Sequence, residues 1–236
     1  MTKRTFENKT ALITGADGGI GTALIRELIK RNIAKVYATG ISADRLNLLT
    51  SGYADKIVPI VLDVTDEDSV NSGAALCNDA DIIINNAGVE LKSDFIGKNA
   101  AQKALFEMKV NYIGVINMIN SFLPPLKQKS KSYILNILSV GSTAVVKRIA
   151  TYCASKSAAH ILTQSLRSEL NVMNIDLIGV YPGYVDTSMS ADVTSEKITP
   201  EILAINICND FENGLMDIFP DKMSTNFYNK KPISMF

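Results

Sequence analysis

Short apolar runs rich in β-branched residues recur along the chain at 10–14, 35–39, 57–62, 81–85, 133–138 and 175–181. They are apolar nearly throughout, without the strict alternation of a half-exposed strand, which predicts strands covered on both faces. Helical periodicity fills the intervals at 20–31, 66–78, 100–123, 151–171 and 200–211, and a helix of undefined extent is expected after the second strand. Start and stop signals agree: Thr65-Asp66-Glu67-Asp68 resembles a capping box, Thr199 precedes Pro200 at a first helical position, and Asn213-Gly214 suits a C-terminal stop. A further short strand is expected within 215–219. Alternation of strands and helices predicts an α/β fold, a doubly wound parallel sheet of about seven strands with helices on both faces. No linker rich in Pro, Gly or Ser and no internal repeat interrupts it, so residues 1–236 are expected to form one domain. The longest irregular stretch, 186–199, follows the carboxyl end of a predicted strand, where loops line the ligand crevice of such sheets.

Composition narrows the function classes. Lys+Arg and Asp+Glu both number 24, for zero net charge, and hydrophobic residues make up 47% of the chain. That balance speaks against nucleic acid as a partner and against disorder. Mean hydropathy is high at +0.12, yet runs such as Ile82-Ile83-Ile84 stop far short of the roughly 20 residues of a membrane span. The first ten residues hold no apolar stretch, so neither a signal peptide nor an anchor is expected and the predicted location is the cytoplasm. Three cysteines without ligand spacing and one histidine, His160, argue against a metal site. A packed role is expected for His160 and for Cys153, and solvated loop positions for Lys147 and Arg148.

Chemistry concentrates in a few motifs. After the first strand comes Thr14-Gly15-Ala16-Asp17-Gly18-Gly19-Ile20-Gly21, at the start of a predicted helix. Backbone amides there can approach a pyrophosphate at the positive end of the helix dipole. Tyr152 and Lys156 are four apart on a predicted helix, so they share a face, and the ammonium is expected to draw the phenol pKa down toward working pH. Such a phenol is a proton donor for a carbonyl oxygen, and Ser139, at the end of a neighbouring strand, can hydrogen-bond the same oxygen.

Taken together these motifs resemble the short-chain dehydrogenase/reductase family over nearly the whole chain. The matching positions are the glycine turn, Asp63, Asn85-Asn86-Ala87-Gly88, Asn111, Ser139, Tyr152 with Lys156, and Pro182-Gly183 with Thr187 beyond. Ser139 precedes Tyr152 by thirteen positions, the family's separation. The resemblance implies a Rossmann fold and a catalytic set of Asn111, Ser139, Tyr152 and Lys156, with Asn111 holding a water that returns protons. It also implies a dinucleotide held by Gly15, Asp17, Gly19, Ile20, Gly21, Thr39, Gly40, Asp63, Val64, Asn85, Ala87, Gly88, Tyr152, Lys156, Pro182, Gly183, Val185 and Thr187. In this scheme Asp63 accepts from the adenine amino group, and Val185 and Thr187 meet the carboxamide end of the nicotinamide.

The expected activity is hydride transfer between NADP(H) and a small-molecule carbonyl or secondary alcohol, with the same reaction on NAD as the alternative. No acid stands at the end of the second strand, Ala38-Thr39-Gly40-Ile41-Ser42, to grip a ribose 2′-hydroxyl. Arg45, Thr39 and Ser42 are the candidate phosphate partners, while Asp17 lies where a basic residue would help and Asp44 is the competing acid for NAD. A non-catalytic dinucleotide sensor on the same fold is the rival of a different class; an epimerase or dehydratase with a longer carboxyl-terminal domain fits less well. Substrate walls are expected from 90–98, 140–150 and 186–199, where Val145, Val146, Ile149 and Met189 suggest an apolar pocket. Family resemblance further implies a homo-oligomer, a dimer or tetramer, assembled through the two long middle helices.

Overall fold

A computed structural model describes residues 3–50, 53, 55–146 and 148–230; Lys147 lies outside the described residues. Seven strands, β1 (Thr10–Thr14), β2 (Lys35–Gly40), β3 (Ile57–Val61), β4 (Ile82–Asn85), β5 (Ser132–Ile137), β6 (Ile175–Val180) and β7 (Asp217–Ile218), form one sheet in the order β3-β2-β1-β4-β5-β6-β7, every pair parallel. The order reverses between β1 and β4, and at such a switch point the loops leaving adjacent strands part and open a crevice.

Strand parity builds the two sides. Ala11 and Ile13 of β1, with Ile82 and Ile84 of β4, face one buried cluster, and Leu12 and Ile83 face the other. The first cluster is closed by α1 (Gly19–Lys30), α2 (Ala43–Leu49) and α7 (Pro200–Glu212) through Leu24, Leu46 and Phe211. The second is closed by α3 (Glu67–Leu76), α5 (Gly114–Leu126) and α6 (Ala150–Asn171) through Val70, Phe122 and Leu170. The apolar runs therefore lack alternation because both faces of the sheet are covered.

Several boundaries depart from the sequence reading. The helix expected over 100–123 is α4 (Ala100–Met108), one π-helical turn over Lys109–Ile113, and α5, which runs to Leu126 with Pro124 and Pro125 in its last turns. The cap of α3 is Asp66, whose side chain accepts from the Asp68 amide; Thr65 instead bonds back to Asp63. An additional helix, α8 (Lys222–Lys230), follows β7, where sequence reading identified no feature. Asp221 and Ser224 start it reciprocally: the Ser224 amide donates to Asp221 Oδ1 at 2.8 Å and the Asp221 amide donates to Ser224 Oγ at 3.2 Å.

Candidate active site

The glycine turn lies beneath the switch point and is braced by Thr14 and Asn86. Thr14 Oγ1 accepts from the amides of Asn86 and Ala87, both at 3.0 Å, and Asn86 Nδ2 donates to the carbonyls of Thr14 at 2.9 Å and Gly15 at 3.0 Å. Gly15 has φ +59°, and a Cβ there would meet Ala87 Cα at 3.0 Å, so glycine is required both by the backbone and by the close approach. Gly18 caps α1 with no side-chain hydrogen bond, leaving the first-turn amides, Gly19 to Gly21, to the crevice. A Cβ at Gly19 would lie 2.8 Å from Thr187, and one at Gly21 would lie 2.5 Å from the Gly15 carbonyl. This cradle, shaped by missing side chains and uncapped amides, fits a pyrophosphate.

At the far edge of the cradle, Arg45 of α2 donates through Nη2 to the Asp17 carbonyl at 3.1 Å and pairs through Nε with the Asp17 carboxylate at 3.0 Å. Asp17 also leans over Gly40, where a Cβ would meet its Oδ1 at 2.8 Å. Asp63 Oδ1 accepts from the amide and hydroxyl of Thr65, both at 2.8 Å, so only its second oxygen faces other company. Val64 packs on Gly114 of α5.

Two expected contacts point elsewhere. Thr39 is fully buried and its hydroxyl donates to the Ile13 carbonyl at 3.1 Å, which withdraws it as a phosphate partner. Asn85, also buried, donates to Asn136 Oδ1 at 2.8 Å, and Asn136 in turn donates to Thr163. Its amide thus ties β4 to β5 and α6 inside the core. Strand pleat decides both cases, because a side chain near the end of a strand faces either the crevice or a helix layer. Of the two asparagines at the end of β4, whose amides are expected to pin adjacent backbone, Asn86 does so at the glycine turn.

Across the crevice, α6 presents Tyr152 and Lys156 to a cavity of about 420 Å³ that also meets Ser139, Gly88, Pro182, Gly183, Val185 and Thr187. Lys156 Nζ donates to the Ile137 carbonyl at 2.8 Å and lies 5.9 Å from the Tyr152 ring centroid. Gly88 lets them come together with Asn111: a Cβ there would lie 3.4 Å from Lys156 Nζ and 3.3 Å from Asn111 Oδ1. Asn111, in the π-turn, accepts from the Val89 amide at 2.9 Å and donates to the Val89 carbonyl at 2.9 Å and Ser155 Oγ at 2.8 Å. Its side chain therefore clamps the strand-end loop to α6. Ser139 Oγ accepts from the Gly141 amide at 3.0 Å, which leaves its own hydrogen to donate outward.

Burial dominates the electrostatics. Tyr152 is raised well above its ordinary pKa, first by burial and then by the negative charge of Glu90, with an opposing hydrogen bond to Ser139. This reverses the expected downward shift, since Lys156 is directed to the Ile137 carbonyl and does not dominate the phenol. Lys156 itself is pushed down from 10.5 to about 8 by burial. The rest of the cavity wall is largely apolar: Val145, Val146, Ile149 and Met189, as expected, joined by Tyr184 and by Met223 and Phe227 of α8. His160 bonds through Nδ1 with the Tyr181 hydroxyl at 2.9 Å, away from this cavity, and Cys153 is buried.

Comparison with known proteins agrees with this geometry. The family model described as short chain dehydrogenase matches residues 9–198. An uncharacterized oxidoreductase of Staphylococcus saprophyticus is 31% identical over 84% of this chain and 89% of its own length. A short chain dehydrogenase from Burkholderia cenocepacia, solved in complex with NADP, superposes with TM-score 0.90 at 31% identity, covering 96% of this chain and 93% of that one. A short chain dehydrogenase/reductase from Burkholderia phymatum in complex with NAD shares the fold, with TM-score 0.85 at 20% identity over 98% of this chain and 100% of that one.

Proposed function

The chain belongs to the short chain dehydrogenase family of NAD(P)-dependent oxidoreductases, and from that premise we propose that it interconverts a carbonyl compound and a secondary alcohol, with Tyr152 as acid and base. The observation that carries the proposal is the burial of Tyr152 and Lys156 on one face of α6, in an apolar cavity shared with Ser139 and Gly88. A non-catalytic dinucleotide binder has no use for a desolvated phenol beside a hydroxyl donor.

When bound, the nicotinamide supplies or accepts the hydride. The chain handles the proton and the oxygen. In reduction, the desolvated Tyr152 is protonated and gives its proton to the carbonyl oxygen as negative charge develops there. Ser139 donates its hydroxyl hydrogen to the same oxygen, its own oxygen being fixed by the Gly141 amide. Lys156 keeps a positive charge behind the phenol, held by the Ile137 carbonyl, and has further N–H groups for ribose hydroxyls. Asn111 fixes the loop that carries Gly88 and so acts as a positioning residue. Replacing Tyr152 with phenylalanine is expected to lower carbonyl reduction by about 100-fold or more, with cofactor affinity nearly unchanged in a calorimetric titration. Retained turnover would remove Tyr152 from the acid role.

Between the two dinucleotides the reading favours NADP(H). Support comes from the missing acid at the end of β2 and from Arg45, whose guanidinium reaches the turn and is 63% exposed, open to a 2′-phosphate. The Asp17 carboxylate over Gly40 favours NAD(H) instead, as an acceptor for a ribose hydroxyl. Calorimetric titration is expected to give tighter binding of NADPH, and Arg45→Ala should remove most of that margin; tighter NADH binding in the unaltered protein overturns the preference.

The wider reading is of one dinucleotide-binding and catalytic domain working in the cytoplasm. The three free, buried cysteines, Cys77, Cys153 and Cys208, suit a reducing compartment. No helix among the described residues is long and apolar enough to cross a membrane. Equal numbers of acids and bases give no basic footprint for nucleic acid. Homo-oligomerisation through the middle helices completes the proposal.

A further inference from the structure

Glu90 is the one acidic side chain in the wall of the catalytic cavity, among Val140, Val145, Ile149, Met189 and Phe227. Among the described residues its carboxylate takes no hydrogen bond and no ion pair, although a half-buried carboxylate ordinarily finds a donor. Of the charges around it, Lys92 acts most strongly and opposes burial, while Asp192 and Glu107 add to it. Lys92, two residues on, is paired with Asp192. Asp192 itself feels Lys92 and Arg148. Behind the loop stands Glu107, fully buried, with one oxygen accepting from the Leu91 amide at 2.7 Å and the other without a partner. Lys156, the cation of the cavity, is turned to the Ile137 carbonyl. Negative charge from Glu90 reaches the phenol, where it is the largest influence on Tyr152 after burial. Glu90 therefore lines the same cavity as Tyr152, with no donor from the described residues on its carboxylate.

We propose that Glu90 selects the substrate: the carbonyl or alcohol compound turned over here carries a protonated amine on an otherwise apolar skeleton, and the ammonium seats on the Glu90 carboxylate. The inference rests on the reading of this cavity as the site of carbonyl reduction and names the substrate class for it. An ammonium supplies the missing donors and offsets the like charge of Glu107, while the apolar wall takes the carbon skeleton. A keto acid or any other anionic substrate places a second negative charge against Glu90 and is rejected on that ground. Burial, with smaller contributions from Asp192 and Glu107 and against the opposing charge of Lys92, pushes the Glu90 pKa up from its ordinary value, so an arriving cation also favours the ionised form needed to hold it.

The test uses protein loaded with NADPH and three probes of similar size at pH 7, hexylammonium, hexan-1-ol and hexanoate, titrated calorimetrically. Hexylammonium is expected to bind about tenfold more tightly than hexanoate. Glu90→Gln should bring that ratio to near unity, and Glu90→Lys should reverse it, with NADPH affinity retained in both. The ratio in the unaltered protein needs no variant to fold. Equal binding of the two ions, tighter hexanoate, no measurable hexylammonium binding, or a ratio unchanged in Glu90→Gln each overturns the proposal. Because the readout is binding, it is separable from the reaction itself: loss of turnover in Tyr152→Phe tests the carbonyl chemistry and leaves the charge preference in place.

Discussion

Lys156 holds an ammonium that is nearly inaccessible and has a backbone carbonyl, not a carboxylate, as its hydrogen-bond partner. Burial lowers its pKa from 10.5 to about 8, so between those values the folded chain binds fewer protons than the unfolded one. By linkage, stability from this group rises with pH across that window. The penalty is therefore fully present below pH 8 and disappears above 10.5. At neutral pH it amounts to about 1–3 kcal/mol, less whatever the Ile137 carbonyl loses when its donor goes. Lys156→Met is thus expected to abolish turnover and to raise the thermal midpoint of the cofactor-free protein at pH 7 by a few degrees. The gain over the unaltered protein should shrink as the melts are repeated toward pH 10.5. A lower midpoint at pH 7 would show that the carbonyl contact outweighs desolvation. Such an exchange of stability for chemistry is what a charge kept for a reaction requires.

At the scale of elements, what could be read in advance follows from how local each signal is. The six long strands are legible because parallel strands covered on both faces are simply apolar, and β7 falls inside its expected range. The glycine turn and the spacing of Tyr152 and Lys156 are equally local, since turn geometry and the i, i+4 neighbour relation need no tertiary knowledge. The π-turn at Lys109–Ile113 is a widening by one residue and leaves the apolar pattern of the long helix almost intact, so the run reads as one helix. Yet this turn sets Asn111 against Val89 and Ser155. Helix α8 had a signal in Asp221 and Ser224, but its sequence is polar apart from the short stripe of Met223 and Phe227, whose place in the pocket depends on the chain's return across the sheet end. Thr39 and Asn85 turn on strand parity near the strand end, which a shift of one position reverses. Glu90 lies within an expected wall segment, but its isolation from any partner exists only once Lys92 has found Asp192 across the rim.

The surface of the whole molecule bears on assembly. Large apolar side chains stand out of the helical run from α4 into the π-turn: Leu105 is 70% exposed, Phe106 49% and Ile113 41%. Phe106 and Ile113 lie on either side of the widened turn, both exposed, and α6, which packs beside α4, adds Ile161 at 62%. Isolated exposed hydrophobics are ordinary, but several on adjoining helices mark a surface that a second copy would cover. A twofold arrangement of this face would pair the surface with itself, and a stable dimer needs about 800 Å² from each partner. Light scattering is accordingly expected to give a mass at least twice the 25.6 kDa of the chain. The double variant Phe106→Glu, Ile113→Glu should shift it to the monomer without loss of NADPH affinity, because neither side chain lines the cavity. A monomeric mass for the unaltered protein would sink the assembly. A mass that the double variant leaves unchanged would move the interface off these helices, to another of the exposed apolar positions.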